Sequence, residues 1–311
     1  MTSAIKPPRL RPGDTIGIAA PASAFEEEAF HRGIRRIHDA GYRTSFCPDI
    51  FSRSGYLAGT DERRADELHR LFADRTISAI FCARGGYGSQ RILPLLDAAT
   101  IRRNPKIFMG YSDITALHTY FQKMCDLVTF HGPLVTELDR MDAGAVSFVF
   151  ESLGRKSPWG ELPACGIEAL CPGNAEGELI GGNLSIYSIL LGTVYAPLME
   201  EKILFFEDRG EKPYAIDRIF SHLKLAGIFN RINGLILGQF VPPVGWEGEE
   251  ESYGAEIKRI VLEAALEFNF PVLANFPAGH ARRNICFPMG VRVRIDGIKK
   301  TVAIVESCLA G

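Results

Sequence analysis

The stretch Lys106-Ile107-Phe108-Met109-Gly110-Tyr111-Ser112-Asp113-Ile114-Thr115 predicts an apolar strand that turns at a serine directly into a helix. A serine on such a turn lies beside the first N–H groups of the helix, a geometry that favours an oxyanion. The Gly-x-Ser-x-Gly motif of a nucleophile elbow is incomplete here, because Ile114 stands at its last position. From these residues alone, Ser112 is either a nucleophile or a plain helix cap.

The composition describes a chain that is large enough for two domains. It has 311 residues, 46% of them hydrophobic. Its formal net charge is −2, so we expect neither nucleic acid nor an anionic membrane as a partner. No apolar run precedes Ile16, and no later stretch is apolar over the length of a membrane span. The sequence therefore predicts a soluble protein of the cytoplasm.

The cysteines argue against a disulfide framework and against a zinc site. There are seven, an odd number, with no Cys-x-x-Cys pair and no Cys/His cluster at zinc-ligand spacing. Reduced and mostly buried thiols are expected, without a structural zinc.

The first half of the chain alternates between apolar strands and amphipathic helices. Ser23 and Glu26 stand at the spacing of a capping box, which predicts a helix start. Helical spacing follows at Phe30, Ile34 and Ile37. Further elements are predicted as strands over 14–21, 43–46, 77–83 and 107–109, and as helices over 61–72, 89–96 and 114–125. This alternation indicates an α/β fold with a mainly parallel sheet and helices on both of its faces.

The pattern loosens at residues 132–173, where four prolines interrupt it, and this segment is predicted to connect two domains. The second half carries predicted strands over 202–206, 234–239, 291–295 and 301–305, and predicted helices over 184–191, 215–226 and 255–268. The predicted organisation is an N-terminal α/β domain over 1–131, a connection over 132–173 and a C-terminal mixed β/α domain over 174–311.

A glycine-rich loop follows the strand that precedes the Ser112 strand. Its sequence is Arg84-Gly85-Gly86-Tyr87-Gly88. Ligands of parallel sheets bind at the carboxyl ends of the strands, and glycines let backbone N–H groups approach closely. The loop is either a plain turn or the source of an oxyanion-hole N–H next to Ser112.

A serine nucleophile needs a base, and the base needs an acidic partner. His280 lies in a polar turn where neither periodicity nor burial explains an imidazole. His118 follows Ser112 too closely to be a convenient base, and His131 fits either a cleft or a structural hydrogen bond. Two carboxylates, Glu207 and Asp208, end an apolar strand in the second half. The alternative for them is a turn cap or an ion pair with a nearby arginine.

Six motifs, in order along nearly the whole chain, resemble the LD-carboxypeptidase family of serine peptidases. They are Gly13-Asp14-Thr15-Ile16-Gly17-Ile18-Ala19-Ala20-Pro21, Ala83-Arg84-Gly85-Gly86-Tyr87-Gly88, Gly110-Tyr111-Ser112-Asp113, Gly181-Gly182-Asn183-Leu184, Phe206-Glu207-Asp208 and Gly279-His280. Ala22 departs from the pattern, because it separates Pro21 from Ser23 where the family commonly reads Pro-Ser. The resemblance implies a first domain similar to class I glutamine amidotransferases and a second domain that carries the acid and the base.

The resemblance also implies the roles of individual residues. Ser112 matches the nucleophile, Glu207 the acid and His280 the base. Backbone N–H groups of Gly86 and Asp113 are the expected oxyanion donors. Expected substrate contacts come from Arg84, Gly85 and Asn183, with a structural ion pair as the alternative for Arg84 and a plain helix cap for Asn183.

The activity expected from this resemblance is hydrolysis of an L,D-amide bond that releases terminal D-alanine from murein tetrapeptide, in peptidoglycan recycling. The alternatives are cleavage of peptidyl-nucleotide antibiotics of the microcin C type, and a peptide-binding protein without turnover. No metal or other cofactor is expected. The expected partner is a small muropeptide, and a homodimer is the expected assembly.

Overall fold

A computed structural model describes residues 4–246 and 248–311 and divides the chain into two compact units. The first unit comprises the chain up to Pro158 together with Ile285–Gly290 and Ser307–Gly311. The second comprises Trp159–Asn284 and Val291–Glu306. Residues 1–3, with which the predicted first domain begins, lie outside the described residues.

Strands and helices alternate through most of the chain. The strands are β1 (Thr15–Ala19), β2 (Arg43–Ser45), β3 (Ile77–Cys82), β4 (Ile107–Gly110), β5 (Thr129–His131), β6 (Gly160–Glu161), β7 (Glu168–Cys171), β8 (Asn174–Asn183), β9 (Lys202–Arg209), β10 (Gly234–Val241), β11 (Val272–Ala274), β12 (Phe287–Met289), β13 (Arg292–Asp296) and β14 (Thr301–Ile304). The helices are α1 (Glu27–Asp39), α2 (Asp61–Ala73), α3 (Ser89–Ile92), α4 (Ala98–Arg103), α5 (Thr115–Cys125), α6 (Ala143–Leu153), α7 (Leu184–Ser188), α8 (Pro213–Leu225) and α9 (Glu250–Ala265).

The first unit contains a six-stranded sheet in the order β12-β5-β4-β3-β1-β2. Its strands β1 to β5 pair in parallel, and β12 pairs antiparallel to β5. The predicted α/β class and the mainly parallel pairing are confirmed. Because β3 and β4 are neighbours, the loops that follow them leave the sheet side by side.

Two helices of the first unit are absent from the sequence prediction. One is α4. The other is α6, which lies in the segment predicted to be a connection. Asp142 caps α6 by accepting the backbone N–H of Ala145 at 2.8 Å. Its buried face, at Val146, Val149, Phe150 and Leu153, has the helical spacing that should have revealed it.

The second unit contains an eight-stranded mixed sheet in the order β6-β14-β13-β8-β9-β10-β11-β7. Its centre, from β8 to β11, is parallel, and the outer pairs are antiparallel. One side of this sheet is covered by a core that α8 and α9 share with it, including Leu204, Phe206, Phe220, Tyr253, Ile257 and Val261. Ile257 and Val261 of α9 therefore lie on the face that packs against this sheet.

The two units differ from the predicted domain ranges in two respects. Residues up to Pro158 belong to the first unit, so much of the predicted connection is folded there. The chain also returns to the first unit late, because β12 pairs with β5. In the described ranges, no helix is long and apolar enough to cross a membrane.

Candidate active site

The backbone turns sharply at Ser112, between a buried strand and a helix. All four residues of β4 are buried, and Ser112 has a φ of 65°. A single 3₁₀ turn, Ser112–Ile114, leads into α5. Non-glycine residues seldom adopt positive φ, and such strain is concentrated at functional sites. The local geometry is that of the elbow expected from the sequence.

The glycine loop, residues 84–88, contacts this serine. A Cβ atom on Gly85 would lie 2.9 Å from Ser112 Cβ and 3.2 Å from Ser112 Oγ, so the loop can come this close only without a side chain there. Ser89, which begins α3, donates its backbone N–H to the Asp113 carboxylate at 2.8 Å. The Ser89 hydroxyl donates to the Asp113 carbonyl oxygen. These contacts fix the glycine loop against the elbow.

Asp113 contributes a side chain whose role the sequence did not indicate. Its carboxyl is fully buried, and burial raises its pKa despite opposing hydrogen bonds from Ser89 and the backbone of Gly88. The predicted role of Asp113 concerned only its backbone N–H. Gly86, the other predicted oxyanion donor, directly follows the glycine that contacts Ser112.

Ser23 supports the glycine loop and does not cap α1. Its hydroxyl accepts the backbone N–H of Tyr87 at 3.0 Å, and its own N–H donates to the carbonyl oxygen of Gly85 at 3.2 Å. The helix begins at Glu27, preceded by Glu26, which makes no side-chain cap bond. The predicted capping box is therefore wrong, because a partner distant in sequence takes the hydroxyl.

Two buried charges on α2 hold the loops at the carboxyl edge of the sheet. Arg64 is fully buried, and its Nη1 donates to the carbonyl oxygens of Pro21 at 2.6 Å and Gly88 at 2.8 Å. Glu67 is also fully buried and accepts the backbone N–H of Ala20 at 2.6 Å. Sequence reasoning missed both residues, because charges on an amphipathic helix usually face solvent.

Arg84, the predicted ligand of a substrate carboxylate, is exposed at the start of the glycine loop. Its Nη1 donates to the carbonyl oxygen of Ala24 at 2.7 Å. Arg84 therefore does not form the structural ion pair that was the alternative, because its partner is a backbone carbonyl oxygen.

The other two histidines considered from the sequence have structural surroundings. His118 is buried, and its Nε2 donates to the carbonyl oxygen of Gly110 at 2.9 Å. Burial lowers the pKa of His118 from 6.5 to about 4. His131 is buried in β5, with its ring stacked on Phe287 at a centroid distance of 4.8 Å.

In the second unit, Glu207 and His280 form a hydrogen-bonded pair. His280 Nδ1 lies 2.7 Å from Glu207 Oε2, and the carboxylate is fully buried. The turn that carries His280 is anchored to β10, because Gln239 N–H donates to the Ala278 carbonyl oxygen at 2.9 Å. Gly279 has a φ of 127°, and a Cβ there would lie 2.9 Å from Glu207 Oε2. Glycine is thus needed for the turn to approach the carboxylate.

Asn183 links the end of β8 to this pair. It lies opposite Glu207 in the register of β8 and β9, and its Nδ2 donates to Glu207 Oε1 at 3.4 Å. Its Oδ1 accepts the backbone N–H of Ile186 at 3.1 Å, so it also caps α7. The helix cap that was the alternative for Asn183 is thus present, and the contact with Glu207 is an addition.

Asp208 makes different contacts from those of Glu207, the residue before it. Successive residues of a strand point to opposite faces, so Asp208 faces away from His280. Its Oδ2 accepts both the backbone N–H and the hydroxyl of Ser185 at 2.8 Å. Burial, and then the charge of Glu207, raise the pKa of Asp208 to about 6. Among the described residues, neither carboxylate pairs with an arginine side chain, and Asp208 Oδ1 accepts the backbone N–H of Arg209 at 2.6 Å.

These arrangements define what each unit can do chemically. An imidazole that donates Nδ1–H to a buried carboxylate is fixed in one tautomer, which makes Nε2 the nitrogen that accepts a proton. A serine on a left-handed turn at a helix start has the geometry of a nucleophile. Within the described residues, no group of three or more His, Cys, Asp or Glu side chains could hold a metal ion, and no disulfide forms.

Comparison with known proteins gives matches over nearly the whole chain. A probable murein peptide carboxypeptidase of Bacillus subtilis (strain 168) is 34% identical over 302 residues, covering 96% of this chain and 94% of the relative. The murein tetrapeptide carboxypeptidase of Pseudomonas aeruginosa is 30% identical, covering 91% and 93%. The microcin C7 self-immunity protein MccF of Escherichia coli is also 30% identical, covering 97% and 96%.

A solved structure and two family models agree with these relatives. The structure of MccF in complex with glutamyl sulfamoyl guanosine superposes with a TM-score of 0.86 at 26% identity, covering 98% of this chain and 99% of that one. A model of the LD-carboxypeptidase N-terminal domain matches residues 16–132, and a model of the LD-carboxypeptidase C-terminal domain matches residues 176–295. The chain belongs to the LD-carboxypeptidase family.

Proposed function

We propose that this chain is a serine carboxypeptidase that releases D-alanine from murein tetrapeptide, by hydrolysing the amide between an L stereocentre and the terminal D-residue. The observation that carries the proposal is the buried Glu207 carboxylate, 2.7 Å from Nδ1 of His280. This pair occurs in a chain whose relatives include murein peptide and murein tetrapeptide carboxypeptidases.

The first chemical step is attack of Ser112 Oγ on the carbonyl carbon of the scissile amide. His280 Nε2 takes the hydroxyl proton and later gives it to the leaving amine of D-alanine. Glu207 holds the imidazole in the required tautomer and stabilises its protonated form. Water then hydrolyses the acyl-enzyme, with His280 again as the base. The positive φ of Ser112 supports its role, because it is typical of a nucleophile elbow.

The oxyanion of the tetrahedral intermediate is bound by the backbone N–H groups of Gly86 and Asp113. The contact of Gly85 with Ser112 and the anchoring of Asp113 by Ser89 support this assignment. Loss of one such donor typically costs about a hundred- to a thousand-fold in rate.

The remaining assignments are part of the same proposal. Arg84 and Gly85 contact the substrate, with the exposed Arg84 guanidinium as the ligand of the terminal carboxylate. Asn183 contacts the substrate next to Glu207. The first unit resembles class I glutamine amidotransferases, and the protein acts in the cytoplasm as a homodimer.

A second candidate activity is cleavage of a peptidyl-nucleotide antibiotic of the microcin C type. It is favoured by the 30% identity to MccF and by the superposition on MccF in complex with glutamyl sulfamoyl guanosine. The two activities share Ser112, Glu207 and His280 and differ only in the group attached to the amide.

The test is incubation with murein tetrapeptide and measurement of released D-alanine, for the wild type and for Ser112→Ala. We expect the substitution to lower the rate by at least about a thousand-fold, because no other group replaces the nucleophile. Ser221→Ala, which removes an exposed hydroxyl on α8, is the matched control and should keep full activity.

Release of D-alanine that survives Ser112→Ala would refute the nucleophile assignment. Cleavage of a peptidyl-nucleotide conjugate without release from tetrapeptide would instead select the second activity. A binding protein without turnover would leave both substrates intact and would fail to react with a serine-directed fluorophosphonate.

A further inference from the structure

Two tyrosines of the first unit expose their rings in contact with each other. Tyr56 is 62% exposed and Tyr87 is 41% exposed. Their ring centroids are 5.5 Å apart, with an interplanar angle of 66°. Exposure of an aromatic ring to water is unfavourable, and this edge-to-face contact covers only part of each ring. Neither ring is buried in the core, so packing of the core does not explain these two exposed tyrosines. A ligand that covers the exposed ring faces would explain them.

The backbone that carries both rings is fixed. The carbonyl oxygen of Tyr56 accepts the N–H of Ala24 at 3.0 Å, and the N–H of Tyr87 donates to Ser23 Oγ at 3.0 Å. Leu57, which follows Tyr56, is buried against the glycine loop, since a Cβ on Gly88 would lie 2.4 Å from Leu57 Cδ2. The two rings are therefore held in place before any ligand binds, which lowers the entropy cost of binding.

The rings also lie beside the proposed nucleophile. Tyr87 is two residues from Gly85, the glycine that contacts Ser112. Two peptide units span at most about 7.6 Å between Cα atoms. A substrate whose amide reaches Ser112 thus has its neighbouring groups within range of the Tyr87 side chain.

The rim of the pair is polar. Neither phenol hydroxyl of Tyr56 or Tyr87 has a hydrogen-bond partner among the described residues. Arg91 lies near them and pairs with Asp61 at 3.0 Å. The pKa of Arg91 is raised, first by this hydrogen bond to Asp61 and to a smaller degree by the two phenols. The pair thus offers an apolar face with donors and a cation at its edge, as ring-binding sites do.

We propose that Tyr56 and Tyr87 form an aromatic subsite that binds a ring carried by the substrate beyond the peptide. The ligand's ring packs face-on against Tyr56, the more exposed of the two tyrosines, and the polar substituents of the ligand form hydrogen bonds with the phenol hydroxyls. This inference rests on the proposed function. The ring has two chemical sources: the amino sugar of a muropeptide, or the base and ribose of a peptidyl nucleotide.

The experiment compares kcat/KM for three substrates: free murein tetrapeptide, the same peptide bearing its muramoyl sugar, and a peptidyl-nucleotide conjugate. For Tyr56→Ala we expect kcat/KM on one ring-bearing substrate to fall about ten-fold more than on the free peptide. Tyr56→Phe should keep most of this preference, since the ring face remains. Tyr214→Ala removes a tyrosine of similar exposure, 65%, from the second unit and should leave the ratio unchanged.

A selective loss on the sugar-bearing peptide supports the subsite with an amino sugar as its ligand, and a selective loss on the conjugate supports it with a nucleoside. Equal effects on all three substrates overturn the subsite. Binding of the same three ligands to the Ser112→Ala protein, measured by calorimetry, provides a readout without turnover. If the wild type releases no D-alanine but the affinity for a ring-bearing ligand still depends on Tyr56, the proposed function fails and the subsite stands.

Discussion

At the scale of single residues, Ser112 holds a conformation that costs free energy. Its φ of 65° lies in the left-handed region, where a side chain adds roughly 1–2 kcal/mol relative to an ordinary conformation. The surrounding contacts of Asp113 with Ser89 keep the turn in place. The turn thus lowers the stability of the fold slightly while it holds the Ser112 hydroxyl in place.

This strain predicts an unusual order of stability for two variants of Ser112. Ser112→Gly should be more stable than Ser112→Ala by about 1 kcal/mol, because glycine accepts positive φ without a Cβ clash. Both variants lack the hydroxyl, so its contacts cancel in the comparison. Urea unfolding followed by circular dichroism measures the difference. An alanine variant that is as stable as the glycine variant would show that the turn is not strained.

At the scale of secondary-structure elements, α2 acts as a support for two loops. Arg64 satisfies carbonyl oxygens of Pro21 and Gly88 and also pairs with Asp61. A local pattern could not reveal this role, because the acceptors lie 43 and 24 residues away along the chain. The helix itself, in contrast, was predicted from the sequence, over 61–72.

Replacing this guanidinium should destabilise the first unit strongly. Arg64→Met keeps similar volume but removes the donor of the buried Pro21 carbonyl oxygen and the ion pair with Asp61, while the Gly88 carbonyl oxygen keeps the N–H of Arg91 at 3.1 Å. We therefore expect a loss of about 3 kcal/mol. Arg70→Met, on the exposed side of the same helix, should change stability by less than about 0.5 kcal/mol. Thermal unfolding of the two variants at equal pH measures the contrast. Equal melting temperatures would refute the supporting role.

Most secondary-structure elements could be predicted from the sequence, whereas contacts between distant residues could not. The alternation of apolar strands and amphipathic helices predicted the α/β class and most elements. The capping box at Ser23 and Glu26 was wrong because its hydroxyl bonds Tyr87, and α6 was overlooked although its periodicity was present. Ser112, Glu207 and His280 stood out from motifs. The contacts of Ser89 with Asp113 and of Ser185 with Asp208 could not be predicted, since only the fold brings these partners together.

At the scale of the whole molecule, buried ionisable groups make stability depend on pH. His118 has a folded-state pKa of about 4, below its usual 6.5, because burial disfavours the imidazolium. Its neutral form therefore contributes stability above pH 6.5, and this contribution is lost as the pH falls through about 4. The amount is roughly 3 kcal/mol.

We expect His118→Gln to flatten the fall in stability between pH 6.5 and pH 4, since its amide can still donate to the Gly110 carbonyl oxygen. The free energy of unfolding, measured by urea titration at several pH values, tests this. Asp208→Asn is a second test, because Asp208 makes the free energy of unfolding change with pH in the opposite direction. The raised pKa of Asp208, about 6, contributes stability at low pH that is lost as the pH rises through it. Parallel profiles for both variants and the wild type would contradict the two assignments.

The antiparallel pairing of β12 with β5 has a consequence for biosynthesis. The strand that completes the first sheet, Phe287–Met289, follows most of the second unit along the chain, and the segment Ser307–Gly311 also belongs to the first unit. A ribosome that has delivered residues 1–158 has therefore produced a sheet with β5 as an open edge, the kind of edge that invites aggregation. The first unit can reach its final form only after most of the second unit has been synthesised. Its folding is thus coupled to synthesis of the second unit.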